Sequence, residues 1–253
     1  MGAEGRRRVV VMGGTGRQGS GVLQHLLPLS ERYEVVVLSR EPTSKEALAL
    51  PEKYGVAAVV KADAGDLAAL TAAFAGAWGV FALTNPFTIS SRSWGLANRP
   101  TDGDADGEVR QGRNIVDACK AAGVQHLVFS SVASANDNTG IPTFDSKAKV
   151  EAYLVASGLP HTIVAPCGFF QNLQSPFAGI KQGVIPGLLK QGVRPQWVSA
   201  TDVGWFVVNA WEHPAEWLGR RFELAADKLD AWEMAAIMAR LRAGEHWVVQ
   251  VPP

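Results

Sequence analysis

The chain has 253 residues, 47% hydrophobic and 19% charged, which is enough apolar material for a packed core and too much for a disordered chain. Lys and Arg number 24 and Asp and Glu 24, so the formal net charge is zero and no overall field draws the protein to nucleic acid or to an acidic membrane. Two cysteines, Cys119 and Cys167, exclude a disulfide framework and a cysteine-rich zinc site, and no apolar run approaches the roughly 20 residues that span a bilayer.

The basic cluster Arg6, Arg7 and Arg8 leads into a first strand pattern at 9–12. That run is too short for a signal-peptide core and is cut off by Gly13 and Gly14. The expectation is a cytoplasmic protein with reduced thiols. Further strand patterns follow at 33–39, 56–61, 79–83, 124–130 and 162–165. Several are continuously apolar, as at 35–38, which suits a parallel sheet covered on both faces. Helical patterns fall between them at 19–27, 44–53, 66–74, 108–122 and 146–157. Asp66 reads as an N-cap and Gly123 as a closing glycine. Strand–helix–strand repetition predicts right-handed βαβ units, hence an α/β fold with a doubly wound parallel (Rossmann) sheet.

The alternation loosens after Pro166. Residues 166–195 hold five glycines, four prolines and three phenylalanines without a long periodic run. Irregular segments of that length are binding elements or disorder, and Val184, Ile185, Leu188 and Leu189 argue against disorder. Helical patterning returns at 202–211 and at 231–242, the latter opened by Asp230 and Glu233 at capping-box spacing. Residues 247–251 read as a last strand. The predicted organisation is a nucleotide-binding domain over 1–165, with 196–211 returning to it, and a smaller substrate lobe from 166–195 and 212–253.

Gly13, Gly16 and Gly19, in a loop that also holds Thr15, Arg17 and Gln18, follow the first strand and open the first helix. In this G-x-x-G-x-x-G pattern one glycine permits a tight turn, one lets backbone approach a pyrophosphate and one lets helix pack on sheet. The helix N-terminus adds unpaired N–H groups and partial positive charge. A glycine triplet alone is a weak signal, but the strand before and the helix after agree with dinucleotide binding. An NAD-preferring site has an acidic residue about 20 residues beyond the glycines. Arg40 stands there instead, and a guanidinium suits a 2′-phosphate; Arg17 could reach the same group. The cofactor expected is NADP(H).

Four stretches together resemble the NmrA-like family of atypical short-chain dehydrogenase/reductases. They are the glycine loop with its strand at 10–19, residues 81–86, residues 108–112 through 126–131, and a last set of Phe144, Asp145, Ser146, Lys147, Val150 and Glu151 followed by 168–172. The resemblance implies that Asp63 and Ala64 border the adenine and that Thr84 and Asn85 line the middle of the cofactor. It places Lys147 near the nicotinamide ribose, and Phe169, Phe170 and Asn172 at the nicotinamide end. It also implies further helix in the lobe than this chain carries, so the lobe is expected to be reduced or completed by a partner subunit, as in a homodimer.

Typical short-chain dehydrogenases pair Tyr with Lys four residues later, the Lys lowering the Tyr pKa for acid–base work. Here Thr143 stands four residues before Lys147, and the three tyrosines, Tyr33, Tyr54 and Tyr153, lie elsewhere. Ser130, Ser131 and Ser134 could supply a hydroxyl. Two readings follow. The first is an NADPH-dependent reductase of a small carbonyl, quinone or imine-type substrate, in which Lys147 handles the proton or water supplies it. The second is a non-catalytic NADP(H) redox sensor that reports to a regulatory protein partner. Neither calls for nucleic acid, a membrane or a metal. The five histidines lack metal spacing, and Cys167 is expected to be a buried inert thiol. Asp102, Asp104, Asp106 and Glu108 lack the bidentate Glu of a calcium loop and read as a solvated helix lead-in. Trp205, Trp211 and Trp217 do not share one helical face and are expected to pack against the lobe.

Overall fold

The computed structural model describes residues 5–88, 104–174, 183–187, 189–242 and 246–251. The chain divides into two compact units, one of Met1–Ala165 with Thr201–Glu223 and one of Pro166–Ala200 with Leu224–Pro253.

The first unit alternates strands β1 (Arg7–Met12), β2 (Tyr33–Ser39), β3 (Ala58–Lys61), β4 (Gly79–Leu83), β5 (His126–Ser130) and β6 (His161–Pro166) with helices. The helices are α1 (Arg17–Leu26), α2 (Lys45–Leu48), α3 (Leu50–Tyr54), α4 (Leu67–Phe74), α5 (Ala105–Ala121) and α6 (Pro142–Ala156). Strands β7 (Gly168–Phe169), β8 (Val184–Pro186) and β9 (Gln196–Val198) follow, and then the chain returns with α7 (Val203–Glu212), α8 (Pro214–Trp217) and β10 (Arg220–Leu224). It ends with β11 (Asp227–Lys228), α9 (Ala231–Leu241) and β12 (Val248–Gln250).

The central sheet has seven strands in the order β10-β6-β5-β4-β1-β2-β3, and β1 through β6 run parallel. This is the doubly wound Rossmann-type arrangement. The continuous apolar runs are buried as that topology requires: Val9, Val10 and Val11 of β1 are fully buried, as are Val80, Phe81 and Ala82 of β4. Val10, Val80 and Ala82 join side chains of α4, α5 and α6 in one core cluster that includes Leu70, Phe74, Ile115, Phe129 and Leu154. Burying each such side chain stabilises the fold by roughly 1.5–3 kcal/mol.

Several helix ends follow sequence chemistry. Asp66 accepts from the Ala69 amide at 2.9 Å and caps α4. Gly123, at φ +69°, turns the chain just after α5. The single helix expected at 44–53 is two short ones, because Pro51 cannot continue the hydrogen-bond ladder of α2 and instead sits in the first turn of α3. Helix α5 begins three residues earlier than expected, where the Asp104 side chain accepts from the Gly107 amide at 2.7 Å. Helix α6 begins four residues earlier, at Pro142.

Two unit boundaries differ from expectation. Residues 196–200 belong to the second unit, because β9 pairs with β7 and β11. Residues 212–223 belong to the first, because α8 and β10 continue on from α7 and β10 joins the main sheet beside β6. Helices α1 and α7 touch backbone to backbone. A Cβ on Gly204 would lie 2.3 Å from the Gly21 carbonyl carbon. Of the tryptophans of this return, Trp211 and Trp217 pack within the first unit, whereas Trp205 is exposed. Trp211 is fully buried beside Tyr33, at a ring separation of 6.2 Å, and Trp217 lies 4.4 Å from the Phe222 ring.

In the second unit β11, β9 and β7 form a three-stranded sheet, and β12 pairs parallel with β8. Ile185, Met234 and Ala235 form its small core, with Trp197, Leu229, Trp247 and Val249 packed around it. The capping box opens α9: Asp230 accepts from the Glu233 amide at 2.8 Å and Glu233 accepts from the Asp230 amide at 2.9 Å. Leu188 and Asp102 lie outside the described residues.

Candidate functional site

Parallel register decides which residues share an edge. Met12 pairs with Leu38, Val11 with Phe81, Ser39 with Lys61, Leu83 with Ser130, and Ser130 with Val164. Gly13, Arg40, Ala62, Thr84 and Ser131 therefore leave the sheet along its carboxyl edge, where open α/β sheets bind ligands.

The glycine loop begins at that edge. Gly13 adopts φ +68°, and its carbonyl accepts from the Gly16 amide at 2.8 Å. A Cβ at Gly19 would stand 2.1 Å from the Gly13 carbonyl oxygen, and one at Gly14 would stand 2.7 Å from Val37 Cγ1. Only glycine lets the loop close on α1 and β2 at once. Gly16 caps α1 without a side-chain hydrogen bond, and the first turn has no acidic residue. The first turn of α1 thus offers no acidic side chain of its own to offset the partial positive charge of the N-terminus. Thr15, Arg17 and Arg40 are exposed around it. Ser130 Oγ donates to Gln18 Oε1 at 2.6 Å and ties the loop to the tip of β5.

Of the residues after β3, Asp63 is exposed and its carboxylate accepts from the Gly65 amide at 2.7 Å, which makes it a loop cap as it stands. The Ala64 carbonyl accepts from Asn114 Nδ2 at 3.0 Å. After β4, Asn85 accepts from the Phe87 amide at 3.1 Å, whereas Thr84 turns inward and is buried.

Thr84 belongs to a buried polar cluster with Lys147, Glu108 and Ser146. Lys147 Nζ donates to the Thr84 carbonyl and to Thr84 Oγ1, both at 2.7 Å, and lies 3.0 Å from Glu108 Oε1. Glu108, fully buried, also accepts from Thr84 Oγ1 at 2.8 Å and from Ser146 Oγ at 2.5 Å. Burial pushes the Lys147 ammonium below the usual lysine range, and Glu108 opposes that shift, with Glu151 adding to the opposition. Glu108 corrects the expectation of a solvated lead-in. It shares a buried stripe of α5 with Gly112, Ile115 and Cys119, spacings of four, seven and eleven that place a charge on the core face.

Glu151, one turn beyond Lys147, accepts from Arg221 Nε at 2.8 Å and from Asn136 Nδ2 at 3.1 Å. Glu223 accepts from Arg221 Nη1 at 2.9 Å and from the amide of Ser134, a residue at φ +59°. These bonds fix the loop between β5 and α6. Ser131 Oγ, at the carboxyl edge, is buried with no hydrogen-bond partner among the described residues. The Tyr153 hydroxyl donates to Asp117 at 2.8 Å and the Tyr33 hydroxyl to Glu212 at 2.5 Å.

Phe169, Phe170 and Asn172 belong to the second unit. Phe169 and Phe170 are half-buried, Asn172 is exposed, and Phe170 stacks on Trp197 with ring centres 5.8 Å apart. Cys167 is partly exposed, not buried as expected, because it follows β6 where the chain leaves the main sheet. The buried thiol is Cys119 on α5.

The model of the NmrA-like family matches residues 5–252. The chain belongs to that family. Among its relatives, the NmrA-like family domain-containing oxidoreductase himF of Aspergillus japonicus is 37% identical over 209 residues, 80% of this chain and 55% of that protein. The crystal structure of the NADPH-dependent quinone oxidoreductase QOR2 of Escherichia coli complexed with NADPH is 26% identical, with a TM-score of 0.72, and covers 96% of this chain and 78% of that one. The crystal structure of NmrA, a negative transcriptional regulator, has a TM-score of 0.80 at 20% identity, over 98% of this chain and 75% of that one, a likeness of fold. The chain spans about half the length of the first curated relatives it matches. Among the described residues of this NmrA-like chain, no helix is long and apolar enough to cross a membrane.

Proposed function

We propose that this chain binds NADP(H) at the carboxyl edge of its parallel sheet and is an oxidoreductase that reduces a small carbonyl, quinone or imine-type substrate. One observation carries the reading. The β1–β2 register sets the glycine loop, which opens onto an α1 N-terminus without a side-chain cap, beside Arg40. The kinship with proteins named as oxidoreductases, one of them in complex with NADPH, supports it.

In this reading the first-turn amides of α1 hold the diphosphate, and Arg40, aided by Arg17, holds the 2′-phosphate through charge-assisted bonds. Asp63 and Ala64 border the adenine, Thr84 and Asn85 line the middle, and Lys147 stands toward the nicotinamide ribose. Bound NADPH supplies the hydride. The orphaned Ser131 hydroxyl fits a buried donor that awaits an acceptor from a ligand. Calorimetric titration with NADPH and NADH, followed by an NADPH-oxidation screen over quinones, imines and enones, tests the proposal. Tighter NADPH binding and acceptor-dependent oxidation support it, and absence of binding of either nucleotide overturns it.

A second reading, NADP(H) sensing without turnover, is favoured by Thr143 at the place of the usual Tyr, with the Tyr33 and Tyr153 hydroxyls engaged by carboxylates. NADPH binding without oxidation of any acceptor, together with a partner protein whose affinity differs between NADP⁺ and NADPH, would establish that reading in place of the first.

A further inference from the structure

The cluster around Lys147 is closed. An ammonium has three N–H groups, and here each has an acceptor: the Thr84 carbonyl, Thr84 Oγ1 and Glu108 Oε1. Thr84 Oγ1 accepts a hydrogen bond from Lys147 and donates one to Glu108, so hydroxyl, ammonium and carboxylate form a ring. The second Glu108 oxygen is taken by Ser146. Of the other groups that face Lys147, the Phe129 ring lies 5.6 Å from Nζ, and Glu151 on the next turn of α6 is bonded to Arg221.

We propose that Glu108 is a positioning residue of the nucleotide site: it holds Lys147 as a fully engaged ammonium strut beneath Thr84, so that Lys147 shapes the exit of β4 and does not deliver a proton to substrate. The charge is necessary for this. Burial disfavours the ammonium, and Glu108 opposes that effect. Without the carboxylate Lys147 sheds its proton more easily, and a neutral amine has two N–H groups for three acceptors. One of the three bonds, two of which go to Thr84, is then lost, and the hold on the peptide that leads into Asn85 and Pro86 loosens. The role in nucleotide binding rests on the NADP(H) reading above, but the strut itself does not.

The test is ¹³C NMR titration of protein carrying ¹³Cε-labelled lysine, with Lys147 assigned by its absence in Lys147→Met. Wild-type Lys147 should remain an ammonium at neutral pH. In Glu108→Gln, which keeps the hydrogen-bonding shape, its proton affinity should fall by roughly tenfold or more. NADPH affinity of Glu108→Gln should then weaken progressively as pH rises, several-fold across the lysine titration, whereas the wild type stays flat. In steady-state assays the change should fall on the NADPH KM more than on kcat. If Glu108→Gln does not fold, Thr84→Val removes the bridging hydroxyl and should move lysine titration and NADPH affinity in the same directions. A variant lysine that titrates as in the wild type overturns the strut, and so does a loss confined to kcat. A wild type that binds no NADPH overturns the NADP(H) reading and the positioning role with it, while the lysine titration still decides the strut.

Discussion

Ser130 Oγ and Gln18 Oε1, separated by 112 positions in sequence, lie 2.6 Å apart, so the tip of β5 is bonded to the first turn of α1. The bond crosses the carboxyl edge and limits how far the glycine loop can shift. Ser130→Ala should cost about 1 kcal/mol of stability, the usual net worth of such a bond. It should also weaken NADPH binding several-fold. Gln18→Ala should do the same, and the double variant should be no worse than either single one. Additive losses in a double-mutant cycle would mean that the two residues act separately.

Arg40 stands two residues after Leu38, the partner of Met12, and so leaves β2 level with the start of the glycine loop. Arg40→Ala should weaken NADPH binding by roughly 1.5–3 kcal/mol, the scale of hydrogen bonds to charged groups, and leave NADH binding nearly unchanged. Calorimetry with both nucleotides separates the outcomes. Equal losses would mean that Arg40 does not read the 2′-phosphate.

The glycines provide a matched pair. A Cβ at Gly19 would meet the Gly13 carbonyl oxygen at 2.1 Å, a backbone atom that cannot rotate away. Gly19→Ala should therefore open the loop, lower stability by about 1–3 kcal/mol and abolish tight nucleotide binding. Gly123, at φ +69° with nothing within 4 Å of a built Cβ, is the control. Gly123→Ala carries only the left-handed backbone penalty of about 1–2 kcal/mol. Its NADPH affinity should stay at the wild-type value. A Gly19→Ala protein that binds NADPH normally would sink the argument.

The parallel sheet was legible because its strands are buried on both faces and so leave unbroken apolar runs, as in β1 and β4. The glycine loop was legible because close packing leaves only one residue type to use. Glu108 was misread for the opposite reason. A charged residue near a helix start resembles an exposed cap, and only its place on the Gly112–Ile115–Cys119 stripe marks it as buried. Residues 212–223 were assigned to the lobe because β10 lies far in sequence from the sheet it joins, and no local pattern carries that pairing. The break of Pro51 within a helical pattern was visible in principle, since proline removes a donor from the ladder.

His126 is the last test, and it concerns the core rather than the site. It is fully buried at the start of β5, where Nε2 lies 2.8 Å from Thr162 Oγ1. The Thr162 hydroxyl already donates to the Trp217 carbonyl at 2.8 Å, so Nε2 must be the donor to it. This leaves Nδ1 without a proton, and it is buried without a partner. Burial, with some repulsion from His161, lowers the His126 pKa to about 4. In the unfolded chain the same group titrates near the ordinary value of 6.5. Between those two values the unfolded chain takes up a proton that the folded chain refuses, so stability falls as pH drops from about 6.5 toward about 4. At 1.36 kcal/mol per unit the loss reaches about 3 kcal/mol by the lower end. Urea unfolding at a series of pH values should show it. His126→Gln will be less stable at neutral pH, but the slope of its profile in that window should be shallower by one proton. Parallel profiles for the two proteins would mean that His126 titrates equally in both states.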